Sequence, residues 1–492
     1  MTTTIVLAAQ PAAVLPSREQ MAFTLAYHII LVPLGVVFPL ITVVMEGIGL
    51  RWRDPVALKL ARRWSVVMAV QFAVGAVTGT ILSFEFGILW PRMMGRFGDL
   101  FGIGFGIEAW AFFLEAIFIG IYLYGWNRLP PRLHFGLGWV LPPAGVLGTF
   151  GVIAANSWMN TPTGFRLGPD GRPVDVNALT VIFTPALGYE FWHFMLALYM
   201  TAGFMVASVY AVGWVRGRRD RYHRLGFTVP FTIGAVLAPV QLVVGDIATR
   251  AVFRDQPAKF AAMEITWVTR SHNPEVVAGI LTADGRTHLG LSIPSLDSLL
   301  AGFSPTTVVR GLSSFPDSTR PSVLDANFVH LAFDVMVGLG VVAVLLAAWY
   351  AAAWVRHRDL PRSRWFFVGA SLAGVGSYLA VECGWITTEV GRQPWIVYGF
   401  MLVAEAVNPV DPRFIWAMFA ALLVVYAVIA FFFITLLLRL SARWRRDDEA
   451  HIAEPPPEVG SPYGPRPRTF PAPPASPLPP GGGGPGAGGP AG

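Results

Sequence analysis

The sequence predicts an all-α integral membrane protein: about nine transmembrane helices in one bundle, with the N-terminus outside and the C-terminus cytoplasmic. Three observations carry that reading. Of 492 residues, 54% are hydrophobic and 13% charged, against roughly 25% charged in an average soluble domain. The apolar residues gather into runs that reach the about 20 residues a span requires. Arginine and lysine cluster after every odd-numbered run, and such clusters mark the cytoplasmic side.

The runs lie near 20–47, 62–86, 100–126, 135–157, 185–214, 225–249, 327–355, 364–388 and 411–441. Arg51, Arg53, Lys59, Arg62 and Arg63 follow the first; Arg128 and Arg132 follow the third. Arg216, Arg218, Arg219, Arg221 and Arg224 follow the fifth. The seventh is followed by Arg356, Arg358, Arg362 and Arg364, and the ninth by Arg439, Arg443, Arg445 and Arg446. Helices 1–6 therefore occupy 20–249 and helices 7–9 occupy 327–441, and an odd span number puts the two termini on opposite sides.

Three segments stand outside the spans. Residues 1–19 read as a short tail, because they lack the basic n-region and continuous apolar stretch of a cleaved signal. Residues 250–326 mix polar and apolar residues with scattered Pro and Gly, and a connection that long reads as an external functional loop. Residues 442–492 run into PPPEVGSPYGPRPRTFPAPPASPLPPGGGG, which buries almost no apolar surface and reads as a disordered cytoplasmic tail. The single cysteine, Cys383, excludes an internal disulfide, and without CxxC or CxxCH there is neither a thiolate cluster nor a covalent c-type haem. No inverted repeat argues for a transporter, and nothing points to nucleic acid.

Ionisable residues inside spans are expensive and mark function. They are His28, Glu108, Glu115, Glu190, His193, Asp334, Glu382 and Glu389. Glu108 and Glu115 are seven apart, as are Glu382 and Glu389, so two helical turns return each pair to one face. Histidine and methionine within apolar helices are also axial ligands for haem iron, and a His/Met pair suits electron transfer. The plainer alternatives are a hydrogen-bonded packing histidine, a core methionine at Met336, and glutamates that serve as helix glue or a transport path. An all-helical transporter using those carboxylates is the competing class.

The motifs as a set resemble subunit I of the cytochrome bd-type quinol oxidases, across about residues 17–440. They are LAYHIILVPLG around His28, AVGAVTGTILSFEFGILW, IEAWAFFLEAIFIGIYLYGW, ANSWMNTP, FWH at His193, KFAAME from Lys259 to Glu264, MVGLG from Met336, and ECGWITTEVGRQPW. The resemblance implies that His193 and Met336 ligate a low-spin haem b. It implies that His28 and Glu382 hold the high-spin haem b and haem d, in an order left open, so that Glu382 is a buried anion compensated by iron. Glu108 and Glu115 match carboxylates of proton delivery and oxygen reduction, and Lys259 with Glu264 match residues that engage quinol. Arg392 of GRQPW stands near haem edges or propionates. A second membrane subunit, an optional small accessory subunit, quinol, oxygen and lipid are the implied partners, in a bacterial cytoplasmic membrane. The implied activity is electrogenic quinol:oxygen oxidoreduction to water without pumping; a haem-bearing quinol oxidoreductase with another terminal acceptor is the alternative.

Away from the ligands, Lys259 and Glu264 read as solvated loop charges by default, Trp385 and Trp395 as either interfacial belt or porphyrin packing, and Cys383, Met45 and Met195 as core. One position departs from the family: arginine is common two residues before the methionine ligand, where this chain has Asp334 in FDVM. An ionised aspartate there lowers the potential of the low-spin haem, or a protonated one engages another partner.

Overall fold

A computed structural model describes residues 11–453, with side chains described through residue 448. Among them, nine helical segments are long and apolar enough to cross a membrane. The first three are α1 (Val14–Trp52), α2 (Pro55–Leu89) and α3 (Pro91–Gly125). The fourth is a pair, α4 (Pro131–Gly138) and α5 (Leu141–Asn160). A hairpin, β1 (Arg166–Leu167) with β2 (Pro173–Val174), and a turn of helix α6 (Ala178–Ile182) lead to α7 (Leu187–Val215) and α8 (Arg221–Asp255).

The long connection is structured rather than idle. It holds α9 (Pro257–Met263) and four strands, β3 (Glu275–Val277), β4 (Ile280–Leu281), β5 (Thr287–His288) and β6 (Leu291–Ile293), then α10 (Leu296–Gly302). β3 pairs antiparallel with β6 and β4 with β5. The last spans are α11 (Val323–His357), α12 (Arg364–Gly391) and, after the β7 (Trp395–Val397) and β8 (Met401–Leu402) hairpin and α13 (Val403–Ala406), α14 (Pro412–Ala453).

At the tails and the long loop, four boundaries differ from the sequence reading. Residues 14–19, expected in the tail, open α1; α8 continues to Asp255; and α11 starts at Val323. Residues 442–453, expected as disordered tail, continue α14, with Asp448 held by Lys59 and by Arg63 at 2.7 Å. In each case hydrophobicity ends before the helix does, because polar residues extend a helix wherever caps or ion pairs sustain it. The remainder of the tail, 454–492, lies outside the described residues.

Start signals are explicit. Asp54 accepts from Val56 N–H at 2.9 Å ahead of Pro55, Asp220 from His223 N–H at 3.1 Å, and Ser322 from Asp325 N–H at 3.0 Å. These caps satisfy backbone donors that have no helical partner. α7 packs on α8 and α12, and α11 packs on the same two, so these four helices close a ring; α1 lies against α2, α5 and α7, with α3 against α5. Close approach is bought with glycine: a Cβ on Gly203 would lie 2.7 Å from Pro230 O, and one on Gly104 2.7 Å from Gly151 O. Met45 and Met195 are core, at 0% and 4% exposure.

Gly203→Val is expected to push α7 from α8 and cost about 1–3 kcal/mol, read as earlier thermal aggregation of the detergent-solubilised protein. Gly120→Ala, which meets nothing within 4 Å, should melt like the parent; an unshifted Gly203→Val would contradict the packing.

Candidate functional site

His193 on α7 and Met336 on α11 stand on diagonal helices of the four-helix ring. Each faces a glycine on a neighbouring helix. A Cβ on Gly384 of α12 would sit 3.1 Å from Met336 Sδ, and one on Gly245 of α8 would sit 3.2 Å from His193 Cε1. Absent side chains thus leave both donors clear toward the ring. Gln241 supports the histidine from the side, its amide nitrogen 3.2 Å from Nδ1, while its Oε1 is buried without a partner. Turning the amide over lets Oε1 accept from Nδ1–H, satisfying the orphaned oxygen and leaving Nε2 as a free donor atom.

The same logic fixes His28. Its Nδ1 is 2.9 Å from Thr78 Oγ1, and the Thr78 hydroxyl already donates to the Val74 and Gly75 carbonyls. Nδ1–H is therefore the donor, and Nε2 keeps its lone pair for a metal. Gly79 keeps the ring unobstructed, since a Cβ there would lie 3.0 Å from Cε1. Glu382 on α12 has a buried Oε1 with no hydrogen-bond partner. A carboxylate oxygen left unpaired in an apolar bundle is costly unless a cation meets it, so the donors present fit haem iron. Trp385, one turn on, packs edge-on to Phe194 with ring centroids 5.4 Å apart. On α3, Glu115 points into the seam with α1 and α5, where a Cβ on Gly145 would be 3.0 Å from its Oε1 and 3.2 Å from Val36 O.

Lys259 and Arg392 meet at one amide. Asn160 Oδ1 accepts from Lys259 Nζ and from Arg392 Nη1, both at 3.2 Å, while its Nδ2 donates to Glu190 Oε1 at 2.8 Å and Asn156 Oδ1 at 3.1 Å. Glu389 closes the circuit, accepting from Arg392 Nη2 at 2.5 Å and Asn156 Nδ2 at 2.7 Å. Two cations and two carboxylates are thereby matched, with Asn160 0%, Arg392 3% and Lys259 4% exposed and the two glutamates partly buried. Burial and then the Arg392 guanidinium push the Lys259 ammonium down to about 7, against the pull of Glu190 and Glu389. Arg392 Nε and Glu190 Oε2 remain without partners.

Here the default expectation for Lys259 and Glu264 fails: neither is a solvated loop charge, because α9 folds back onto α8, α11 and α12. Nor do they share a network. Glu264, 5% exposed, caps α9 and enters an acidic group with Glu275 and Asp297. Asp334 lies nearby on α11 and engages the loop, accepting from Ala278 N–H at 2.6 Å with His330 Nε2 3.3 Å away. His330 itself donates from Nδ1 to Met263 O at 2.7 Å and accepts Gly279 N–H on Nε2 at 3.2 Å, which makes it a neutral ring.

Sequence reasoning missed the neutral members. Asn156, Asn160 and Gln241 carry no charge to stand out in an apolar run, although the two asparagines lie within the ANSWMNTP motif. Two buried carboxylates also escaped: Glu85, which accepts from Gln20 Nε2 at 2.6 Å, and Glu46, which accepts from the Tyr122 hydroxyl and pairs with His134 at 2.8 Å. Glu46 sits at the edge of its apolar run, next to the arginines.

Comparison with known proteins gives consistent matches. The family profile described as cytochrome bd terminal oxidase subunit I matches residues 16–444. A Bacillus subtilis (strain 168) protein whose name carries a provisional assignment as cytochrome bd menaquinol oxidase subunit I is 30% identical over 446 residues, covering 89% of this chain and 98% of its own. Cytochrome bd ubiquinol oxidase subunit 1 of the same organism is 30% identical, covering 80% of this chain and 86% of its own. The solved bd oxidase from Geobacillus thermodenitrificans superposes with a TM-score of 0.82 at 33% identity, over 88% of this chain and 99% of that one.

Asn160→Leu removes the acceptor shared by two buried cations and the donor to Glu190. The expected loss is about 3 kcal/mol, measurable as a lower thermal midpoint; an unchanged midpoint would show that the amide is not the hub.

Proposed function

The chain belongs to the cytochrome bd terminal oxidase subunit I family, and from that premise we propose that it is the haem-bearing subunit of a complex that oxidises quinol and reduces oxygen to water. It is a multi-pass protein of a bacterial plasma membrane. The observation that carries the proposal is the diagonal placement of His193 and Met336 across the ring, each opposite a glycine. In this reading they hold a low-spin haem b, and His28 and Glu382 hold the high-spin haem b and haem d. When bound, these groups supply the electron path from quinol and the site of oxygen reduction.

The chain's own residues do the rest. Glu264 takes a hydroxyl proton from quinol at the exterior face, and Lys259, held at the Asn160 amide, presents its nitrogen to the same substrate. Arg392, whose Nε has no partner, offers a donor to a haem carboxylate. Glu115 and Glu108, two turns apart on α3, carry protons inward from the cytoplasm. Protons consumed from one side and released on the other build a membrane potential without a pump. A second membrane subunit completes the complex, and ubiquinol and menaquinol are both open as donors.

Membranes expressing the chain with its neighbouring membrane subunit should show, in a dithionite-reduced minus oxidised spectrum, b-haem bands and a far-red chlorin band that shifts with carbon monoxide. Met336→Ala should convert the low-spin haem to one that also binds carbon monoxide. Absence of any haem from the folded complex would defeat the reading, b bands without the chlorin band would point to a variant with a different terminal site, and quinol oxidation without oxygen consumption would replace oxygen by another acceptor.

Asp334 stands two residues before the methionine, where the resemblance implies a common arginine. Asp334→Asn is expected to raise the low-spin haem potential in a redox titration, and an unmoved potential would remove the electrostatic role.

A further inference from the structure

The external loop holds a group of acids that the ligand and quinol assignments leave unexplained. Glu264 follows α9, Glu275 opens β3 and Asp297 lies in the first turn of α10, yet one carboxylate oxygen from each lies within 4.8 Å of the other two. Three separate stretches of chain have been folded to bring like charges together in a place where Asp297 is 1% and Glu264 5% exposed. Glu264 Oε2 has no hydrogen-bond partner there. Glu275 is half-buried, so the group runs from the packed base of the loop to its surface.

Among the described residues no cationic side chain bonds directly to these carboxylates, although Arg270 lies close enough to pull Asp297 down. From the loop, Asn273 Nδ2 donates to Asp297 Oδ2 at 2.5 Å and to Thr266 Oγ1 at 2.7 Å, and Arg270 Nε reaches Asn273 Oδ1 at 2.5 Å rather than a carboxylate. From α11 come Asp334, a further negative group, and His330, neutral by its two hydrogen bonds. Like-charged carboxyls held this close cannot all ionise and must share protons.

We propose that Glu275 and Asp297 act with Glu264 as a shared-proton relay that carries quinol protons from Glu264 to the outer surface of the loop. The inference rests on the quinol reading above and extends it to two further residues. A quinol O–H breaks as a Glu264 O–H forms; that proton passes to the Glu275 carboxylate, which accepts from Glu264, and leaves to water, while the quinol electrons go to the oxidase's own cofactors. The first proton can instead rest on Asp297, which frees Glu264 for the proton of the second quinol O–H; Asp297 then returns its proton through Glu275 to water. The protonation tendencies agree: burial and then the Glu275 charge hold Glu264 well above the usual carboxylate range, burial and Asp297 push Glu275 up to about 7, and burial raises Asp297 to about 6. Glu275 and Asp297 can accept above those values and are filled below them. Turnover should therefore fall as pH drops through about 7 to 6.

The test uses the purified two-subunit oxidase and a soluble quinol, with kcat and KM followed across the neutral pH range. Glu275→Gln and Asp297→Asn are expected to lower kcat, by about 10²-fold for Glu275→Gln, with KM within a factor of about two and the acid limb of the profile displaced. Glu275→Asp should recover part of the rate, and Asp284→Asn, an exposed loop carboxylate, should leave it unchanged. Reduced haem spectra matching the parent separate loss of relay from misfolding. Wild-type kcat and pH profile in Glu275→Gln would overturn the relay, as would a stoichiometric divalent cation in the parent that the variant loses. Failure of the parent itself to oxidise quinol would instead remove the functional reading.

Discussion

One amide holds the loop end of the bundle together. Asn160 closes α5, and its side chain joins a lysine from the loop helix α9, an arginine from the end of α12 and a glutamate from the start of α7. Four elements far apart in sequence are locked where the spans meet the loop. Burying this many charges is tolerable because each finds an opposite, even with Arg392 Nε and Glu190 Oε2 left over. That constraint sets the position of α9, and through α9 it sets the depth at which Lys259 and Glu264 stand.

Below that clamp, glycine shapes the chemistry. The candidate ligands are not presented by loops; they project from helices, and at three of the four a glycine stands opposite, where a side chain would crowd the donor. Gly79, Gly245 and Gly384 each stand against a donor that resemblance assigns to iron. The partners of those donors then decide which atom is available. Thr78 spends its proton on its own helix and so leaves His28 with Nε2 bare. The arrangement is a site of preformed geometry, with orientation supplied by neutral hydroxyl and amide groups that add no charge to a low-dielectric interior.

The fold was legible in the sequence because a bilayer permits few solutions: runs of apolar residues with arginines at alternate ends leave little choice but a helical bundle. The ionisable candidates stood out for the same reason, since a glutamate or histidine such as Glu382 or His193 in an apolar run is expensive. Lys259 and Glu264 were harder, because a loop hides burial; only tertiary contacts turn KFAAME from a solvated turn into a packed helix. Asn160, Gln241 and Thr78 were illegible in principle, being ordinary polar residues whose importance lies in what reaches them. Helix ends were misjudged where polarity begins before helicity stops, as at 442–453, where Asp448 is tied to Lys59 and Arg63 of α2.

The last span is mounted differently from the others. α14 rests chiefly on α1 and α2, with Tyr426 meeting Tyr27 edge-on at 4.5 Å and Asp448 fastening its far end, and little of its apolar stretch is covered. None of the candidate ligands lies on it, and the Asn160 clamp is complete without it. Every candidate ligand and every member of the Asn160 network therefore precedes α14 in the chain, so the order of synthesis completes those contacts' partners before the last helix is made.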